Sequence, residues 1–247
     1  MKGIVLAAFA VMAAHAADQK SFDVASIRPA QPGQRGDGVQ MEPGVVTLRN
    51  ATLRSCIRFA YHVEDYQISG PSMLDEARFD IVAKAATAAP GDDLRLMMRS
   101  LLDERFKLAF HKEPREMTAL VLVVAKGGHK LTPNEVEGKP SFQTGKLNLT
   151  GKGATLGQLT DFLSHELRQP VIDQTGLTGR FDFFLDINAY VNEEVMKTAG
   201  PNGGPPTEAP AIIAQAMQKQ LGLKVEPRKL PIDVIVVDRM EKAPTEN

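Results

Sequence analysis

The side chains able to do chemistry are few and scattered. Beyond residue 16 the histidines are His62, His111, His129 and His165, and no two fall three or four residues apart, the spacing that presents two ligands on one helix face. Cys56 is the only cysteine, so no intramolecular disulfide can form. Leu53, Cys56, Ile57 and Ala60 share one helix face, which makes Cys56 a small core residue rather than a reactive thiol. The serine-nucleophile patterns G-x-S-x-G, S-x-x-K and K-T-G are all absent. The phosphate loop G-x-x-x-x-G-K-[ST] is approached at 145–152, but the spacing is one residue too long and Gly153 stands where a hydroxyl is needed. Gly36-Asp37-Gly38 lacks the third glycine of a dinucleotide loop. No motif calls for a cofactor or a metal, and no catalytic residue is nominated.

One dense constellation stands out, from Asp173 to Asp182 (DQTGLTGRFD). Gly176 and Gly179 permit turns with positive φ. Asp173 and Thr175 can hydrogen-bond the turn's own main chain. The segment reads as a structural corner leading into a strand, with Arg180 and Asp182 on one strand face. Arg78 and Asp80 repeat that pair earlier in the chain, and His62 and His165 also recur at matched positions. These histidines read as polar residues near helix ends, or as a symmetric pair between two modules.

Such recurrence points to a chain written twice, which should be sought before any motif. Ala51-Thr52-Leu53, Phe59 and His62 reappear 103 residues later as Ala154-Thr155-Leu156, Phe162 and His165, and Cys56 falls opposite Leu159. Short strands follow at 66–68 and 170–172, then the alternating strands Arg78-Phe79-Asp80-Ile81-Val82 and Arg180-Phe181-Asp182-Phe183-Phe184. Each copy then has a breaker-rich loop, a second helix and two closing strands. The first of these helices should be N-capped by Asp92 or Asp93. The second should carry Pro210 in its first turn and stop at Gly222. The closing strands are expected at 108–113 and 119–125, and again at 223–226 and 232–238.

The fold class is therefore α+β, in two tandem pseudo-symmetric modules of two helices packed on a mainly antiparallel sheet. Residues 17–130 and 131–247 form the two modules. The second contains a Gly/Pro-rich loop at 188–210, whose stretch 197–210 reads as a tolerated surface insertion.

The start of the chain sets the compartment. Met1-Lys2, an apolar run to Ala14 and the small-residue site Ala14-His15-Ala16 form the pattern of a signal peptide over 1–16. The protein is expected to be exported, periplasmic or extracellular, and not membrane-spanning after cleavage, since no later apolar run approaches 18 residues. With 29 Lys and Arg against 30 Asp and Glu, it has no basic excess to hold a nucleic acid. There is no tryptophan and there are only three tyrosines, which lowers the expectation of a sugar-binding groove.

Several longer segments carry a resemblance: FDVASIRPA at 22–30, ATLRSCIRFAY at 51–61, RFDIVAKA at 78–85, LLDERFKLAFHKEPRE at 101–116, VIDQTGLTGRFDF at 171–183 and QLGLKVEPRKLPIDVIVVDRMEKAP at 220–244. Together they resemble an uncharacterised family of exported proteins of soil bacteria, defined by a domain of unknown function. The resemblance implies related domains fused to membrane metallopeptidases of the β-lactam-sensor type. No H-E-x-x-H occurs here, so only an outer domain could be shared. The helix-and-strand piece of each copy is also similar to the short α/β modules of secretins and TonB-dependent receptors, a likeness of fold alone. The expectation is a non-catalytic module that binds an envelope protein or a small molecule. The alternatives are a ligand-sensing domain acting with a membrane partner, and a hydrolase with an unrecognised site.

Overall fold

The computed structural model describes residues 20–31, 33, 36, 38–135, 138, 140–145, 147–191, 199–200, 204–206 and 209–245. The signal peptide expected at 1–16 lies outside the described residues, as does much of the Gly/Pro-rich loop. No helix among the described residues is long and apolar enough to cross a membrane. Among the described residues the architecture is α+β, with five α-helices and mainly antiparallel sheets.

The chain forms two compact units that are not consecutive in sequence. One draws its described residues from Met1–His62, Pro71–Ala109 and Asp238–Asn247, the other from Val63–Gly70 and Phe110–Val237.

In the first unit, β1 (Val24–Pro29), β2 (Gly38–Glu42) and β3 (Val45–Thr52) lead into α1 (Leu53–Tyr61). After the two-residue strand β4 (Ile68–Ser69), which belongs to the second unit, come α2 (Met73–Glu76), β5 (Arg78–Lys84) and α3 (Gly91–Phe106). The sheet order is β1-β5-β3-β2, with each pairing antiparallel. Alternation along β5 puts Phe79, Ile81 and Ala83 in the core, where Phe79 meets Phe106 edge-on with centroids 5.3 Å apart. Thr52 caps α1, its hydroxyl accepting from Ser55 N at 3.1 Å. Asp92 and Asp93 do not cap α3. Pro90 occupies the N-cap position, and the two aspartates lie in the first turn, where their charge favours the helix N-terminus.

In the second unit, β6 (Ala109–Val124) is followed by β7 (Thr132–Pro133), β8 (Ser141–Thr144), β9 (Asn148–Ala154), α4 (Leu156–Leu167), β10 (Val171–Asp173) and β11 (Phe181–Asp186). Then come β12 (Ala199–Gly200), β13 (Gly204–Pro206), α5 (Ala209–Ala216) with a π-helical last turn at Met217–Leu221, and β14 (Leu223–Arg239). One sheet has the order β7-β11-β9-β8, antiparallel at each pairing. Its inner face packs Leu149, Phe183 and Leu185 against Leu159 and Leu163 of α4 and Met217 and Leu221 of the π turn. Thr155 caps α4 in a full capping box with Gln158.

A further four-stranded sheet, β10-β6-β14-β4, corrects an expectation. Each pair of closing strands is one strand, of 16 residues in β6 and 17 in β14. Pro114, Pro227 and Pro231 lie within these strands at exposed positions, where a missing N–H is tolerated. β4 pairs in parallel with β14, and β10 in parallel with β6. Ile68 and Val171, 103 residues apart, thus open the two edge strands of one sheet.

The strand–helix–strand pieces also match in detail. Asn50 and Gly153, again 103 apart, both take positive φ, at 51° and 56°. Asn50 N donates to Asp80 Oδ1 at 2.8 Å, and Gly153 N donates to Asp182 Oδ1 at 2.7 Å. The strand register shifts at both places. Cys56 and Leu159 are each fully buried, and burial pushes the Cys56 thiol up to about 12, so it holds no thiolate at neutral pH.

Candidate functional site

The corner between β10 and β11 is shaped by its own side chains. Asp173 Oδ1 accepts from Thr175 N at 2.9 Å and from the Thr175 hydroxyl at 2.7 Å. Thr175 Oγ1 in turn accepts from Leu177 N at 3.1 Å. Gly176 and Gly179 turn the chain with φ of 71° and 100°. Leu177 packs against the core and anchors the loop from below. The corner then enters β11 through Arg180, whose Nη1 donates to Gly138 O at 2.7 Å and whose carbonyl accepts from Asn134 N at 2.9 Å.

A second loop, between β6 and β7, faces this corner. Gly128 N closes a turn on Ala125 O at 2.9 Å. Ala125 N donates to Gly222 O at 2.9 Å, Lys130 N to Leu221 O at 2.8 Å, and Lys130 Nζ to Lys219 O at 2.7 Å. Gly222 has φ 65°, and a Cβ there would overlap Gly128 O and lie 3.0 Å from His129 Cα. The close approach that only glycine allows therefore holds His129 in place. The His129 ring meets Phe181 edge-on, with centroids 5.9 Å apart, and its Nδ1 is buried without a hydrogen-bond partner among the described residues.

Between the loops lies an open cleft of about 600 Å³, with His129, Asn134, Glu135, Thr178 and Arg180 as its polar lining and Gly176–Gly179 as one wall. Asp182 stands behind it and orients Asn134, accepting from its Nδ2 at 2.6 Å. That bond, then the Gly153 amide and the nearby Lys152 charge, hold the Asp182 carboxyl below the usual range, against a smaller opposing effect of burial. Among the described residues the cleft thus offers hydrogen-bonding groups of both kinds and one charge of each sign. Among the described residues no group of three or more His, Cys, Asp or Glu side chains could hold a metal ion.

Of the residues singled out by sequence, Gly176, Gly179 and Arg180 line the cleft, Asp173 and Thr175 shape its wall, and Asp182 supports it. The others do different work. His62 is exposed and ends α1 in the left-handed conformation. His165 lies in the last turn of α4, its Nδ1 3.3 Å from Glu64. Arg78 and Asp80 turn to the main chain of Asn50 rather than to each other, Arg78 Nη1 donating to its carbonyl at 3.0 Å. Sequence reasoning did not single out His129 or Asn134 for the cleft. The only signal was Gly127-Gly128-His129 after an apolar strand. Ser164 and Tyr66 are also structural. Ser164 Oγ accepts from Val171 N at 2.9 Å, and burial pushes the Tyr66 phenol up to about 12.

No curated protein and no solved structure matches the chain. A family model, described as a protein of unknown function (DUF3738), matches residues 54–240, which is more than half of the chain and includes the whole cleft. The chain belongs to that family of proteins of unknown function.

Proposed function

We propose that this is an exported, non-catalytic binding module that acts outside the cytoplasm and takes a small polar ligand, or a polar segment of an envelope protein, in the cleft between His129 and the Gly176–Gly179 corner. One observation carries the reading. Among the described residues His129, the imidazole that lines the cleft, has an Nδ1 with no hydrogen-bond partner, whereas a catalytic base is oriented by a third group bonded to its far nitrogen. The rest of the cleft is fixed through main-chain contacts, a preorganised surface suited to recognition. The signal-peptide pattern at 1–16 supports export.

The matched bulges, caps and edge strands support two tandem pseudo-symmetric modules, 17–130 and 131–247. The resemblance to soil-bacterial proteins, and to domains fused to β-lactam-sensor-type metallopeptidases, supports a sensing use of the same cleft with a membrane partner.

Thermal melts of the chain from residue 17 against cell-wall fragments, β-lactams and short peptides test this reading. A ligand at 100 times its Kd should add about 2.7 kcal/mol, or roughly 5–11 °C for a chain of this size. His129→Ala should remove most of that shift while leaving the unliganded melt nearly in place. Turnover of any probe, or a shift untouched by His129→Ala, would overturn the assignment.

A further inference from the structure

We infer that the protein pairs with a second copy of itself through the open edge of β2 in the first unit, the two strands running antiparallel about a twofold axis at Gln40. β2 ends the order β1-β5-β3-β2, so among the described residues its outer edge has no partner strand. All five of its residues are exposed. Other edges are guarded. β4, β7 and β10 have only two or three residues, and β1 carries Arg28 and Pro29. β2 carries neither proline nor lysine, and its one charge, Glu42, stands at its end. The side chains on its inner face are apolar. Val39 lies opposite Leu48 and Met41 opposite Val46, yet each is 46% exposed where those partners are fully buried.

The register follows from the hairpin. Glu42 and Val45 are paired across the two-residue loop Pro43-Gly44. Such a flanking pair exchanges both main-chain hydrogen bonds, and bonding alternates from there. Gly38, Gln40 and Glu42 therefore turn their main chain to β3, and Val39 and Met41 turn theirs to the open edge. A twofold axis through Gln40, perpendicular to the sheet, sets Val39 against Met41 of the second copy and Met41 against its Val39. Each of these pairs exchanges both bonds, so every N–H and C=O that the two residues offer is used. Moving the axis one residue toward the turn sets Val39 against Pro43, which has no N–H. Moving it the other way carries Met41 beyond the start of the strand at Gly38. In the favoured register one apolar row crosses the axis, as Ile81, Leu48 and Val39 of one copy continue into Met41, Val46 and Ala83 of the other. Glu42 meets Gly38, so no like charges stand opposed. Five residues a side fall well short of the roughly 1,200 Å² of a standard interface, so the association is weak and driven by concentration.

The test is sedimentation velocity of the chain from residue 17 over a concentration series, which should show a reversible rise in mass toward that of a dimer. Met41→Lys, which puts a charge into the joined row, should keep the chain monomeric while the amides of β3 and β5 stay protected from hydrogen exchange. Cross-linking reads the register. Gln40 faces Gln40 of the second copy in a non-hydrogen-bonded pair, with Cα atoms about 4.5 Å apart and within reach of a disulfide. Gln40→Cys should therefore oxidise to a covalent dimer under conditions that leave Glu42→Cys monomeric, since Glu42 pairs with Gly38 and not with its own copy. Cys56 is fully buried and does not compete. A chain that stays monomeric at every concentration, or a dimer that survives Met41→Lys, would overturn the edge as the contact. Equal cross-linking by Gln40→Cys and Glu42→Cys would overturn the register. Amides of Val39 and Met41 that are protected equally at every dilution would show an edge covered within one chain, and that too would overturn the inference.

Discussion

Leu48 and Ile81 face each other across β3 and β5, while 103 and 102 residues later Gly151 and Phe183 face each other across β9 and β11. The first pair is two aliphatic side chains of ordinary core size, both fully buried. In the second, one partner has no side chain and the other is a phenyl ring. A Cβ on Gly151 would overlap the Phe183 ring, so the ring occupies the space that the missing side chain leaves. The same strand pair is thus filled two ways, by even sharing and by one large group over a glycine. The difference has a consequence. Phe142 also pairs with Gly151, and its ring, resting on Phe183, supports the aromatic wall that reaches Phe162.

The helix ends diverge in the same manner. α3 ends at Lys107 with φ 52°, and the π turn after α5 ends at Gly222 with φ 65°. Lys107 is exposed and bears the left-handed conformation as strain, whereas Gly222 also needs room for Gly128. The largest expected effect follows. Gly222→Ala should destabilise the protein by about 3 kcal/mol or more, combining left-handed strain with a main-chain overlap. Lys107→Gly should do the opposite and stabilise by up to about 1 kcal/mol. Chemical denaturation measures both, and equal signs would break the comparison.

Next in size is a swap. Phe183→Ile alone should cost about 1–3 kcal/mol by leaving space over Gly151, and Gly151→Leu alone about 1–3 kcal/mol by overpacking. The double variant should recover at least about 1 kcal/mol of their sum. Strict additivity would mean that the two copies fill the position independently. Smaller again are the caps. Thr52→Ala and Thr155→Ala should each cost about 1 kcal/mol, with the larger loss at Thr155, whose box with Gln158 satisfies two amides.

The smallest effect appears only in acid. The Asp182 carboxyl is held low in the folded chain, so its contribution is complete above the ordinary carboxylate value of about 3.9. It is lost as pH falls through the lowered folded value. The Gly153 amide and the Asn134 side-chain amide should titrate together in that acid range, and Asp182→Asn should remove the step. Asp80 holds Asn50 N in the matching position.

Features set by neighbouring residues were legible in the sequence. Alternation in the two Arg-Phe-Asp strands and the Asp173–Thr175 turn need only local chemistry, and helix-end glycine at 222 follows the same logic. The continuity of β6 and β14 was hidden, because Pro114, Pro227 and Pro231 look like breaks until their exposure is seen. Parallel docking of β4 on β14 and β10 on β6 joins residues more than 50 apart, which no short-range pattern records. The cleft was half visible for the same reason. Gly176–Arg180 announces itself, but His129 arrives through a contact with Gly222, and that contact depends on an absent side chain.

The binding reading can be tested most directly by a backbone NMR titration of the chain from residue 17 with cell-wall fragments and short peptides. The account predicts saturable shifts confined to His129, Asn134 and Gly176–Phe181, with the probe recovered chemically unchanged. Conversion of the probe, or saturable shifts that bypass those residues, would contradict it.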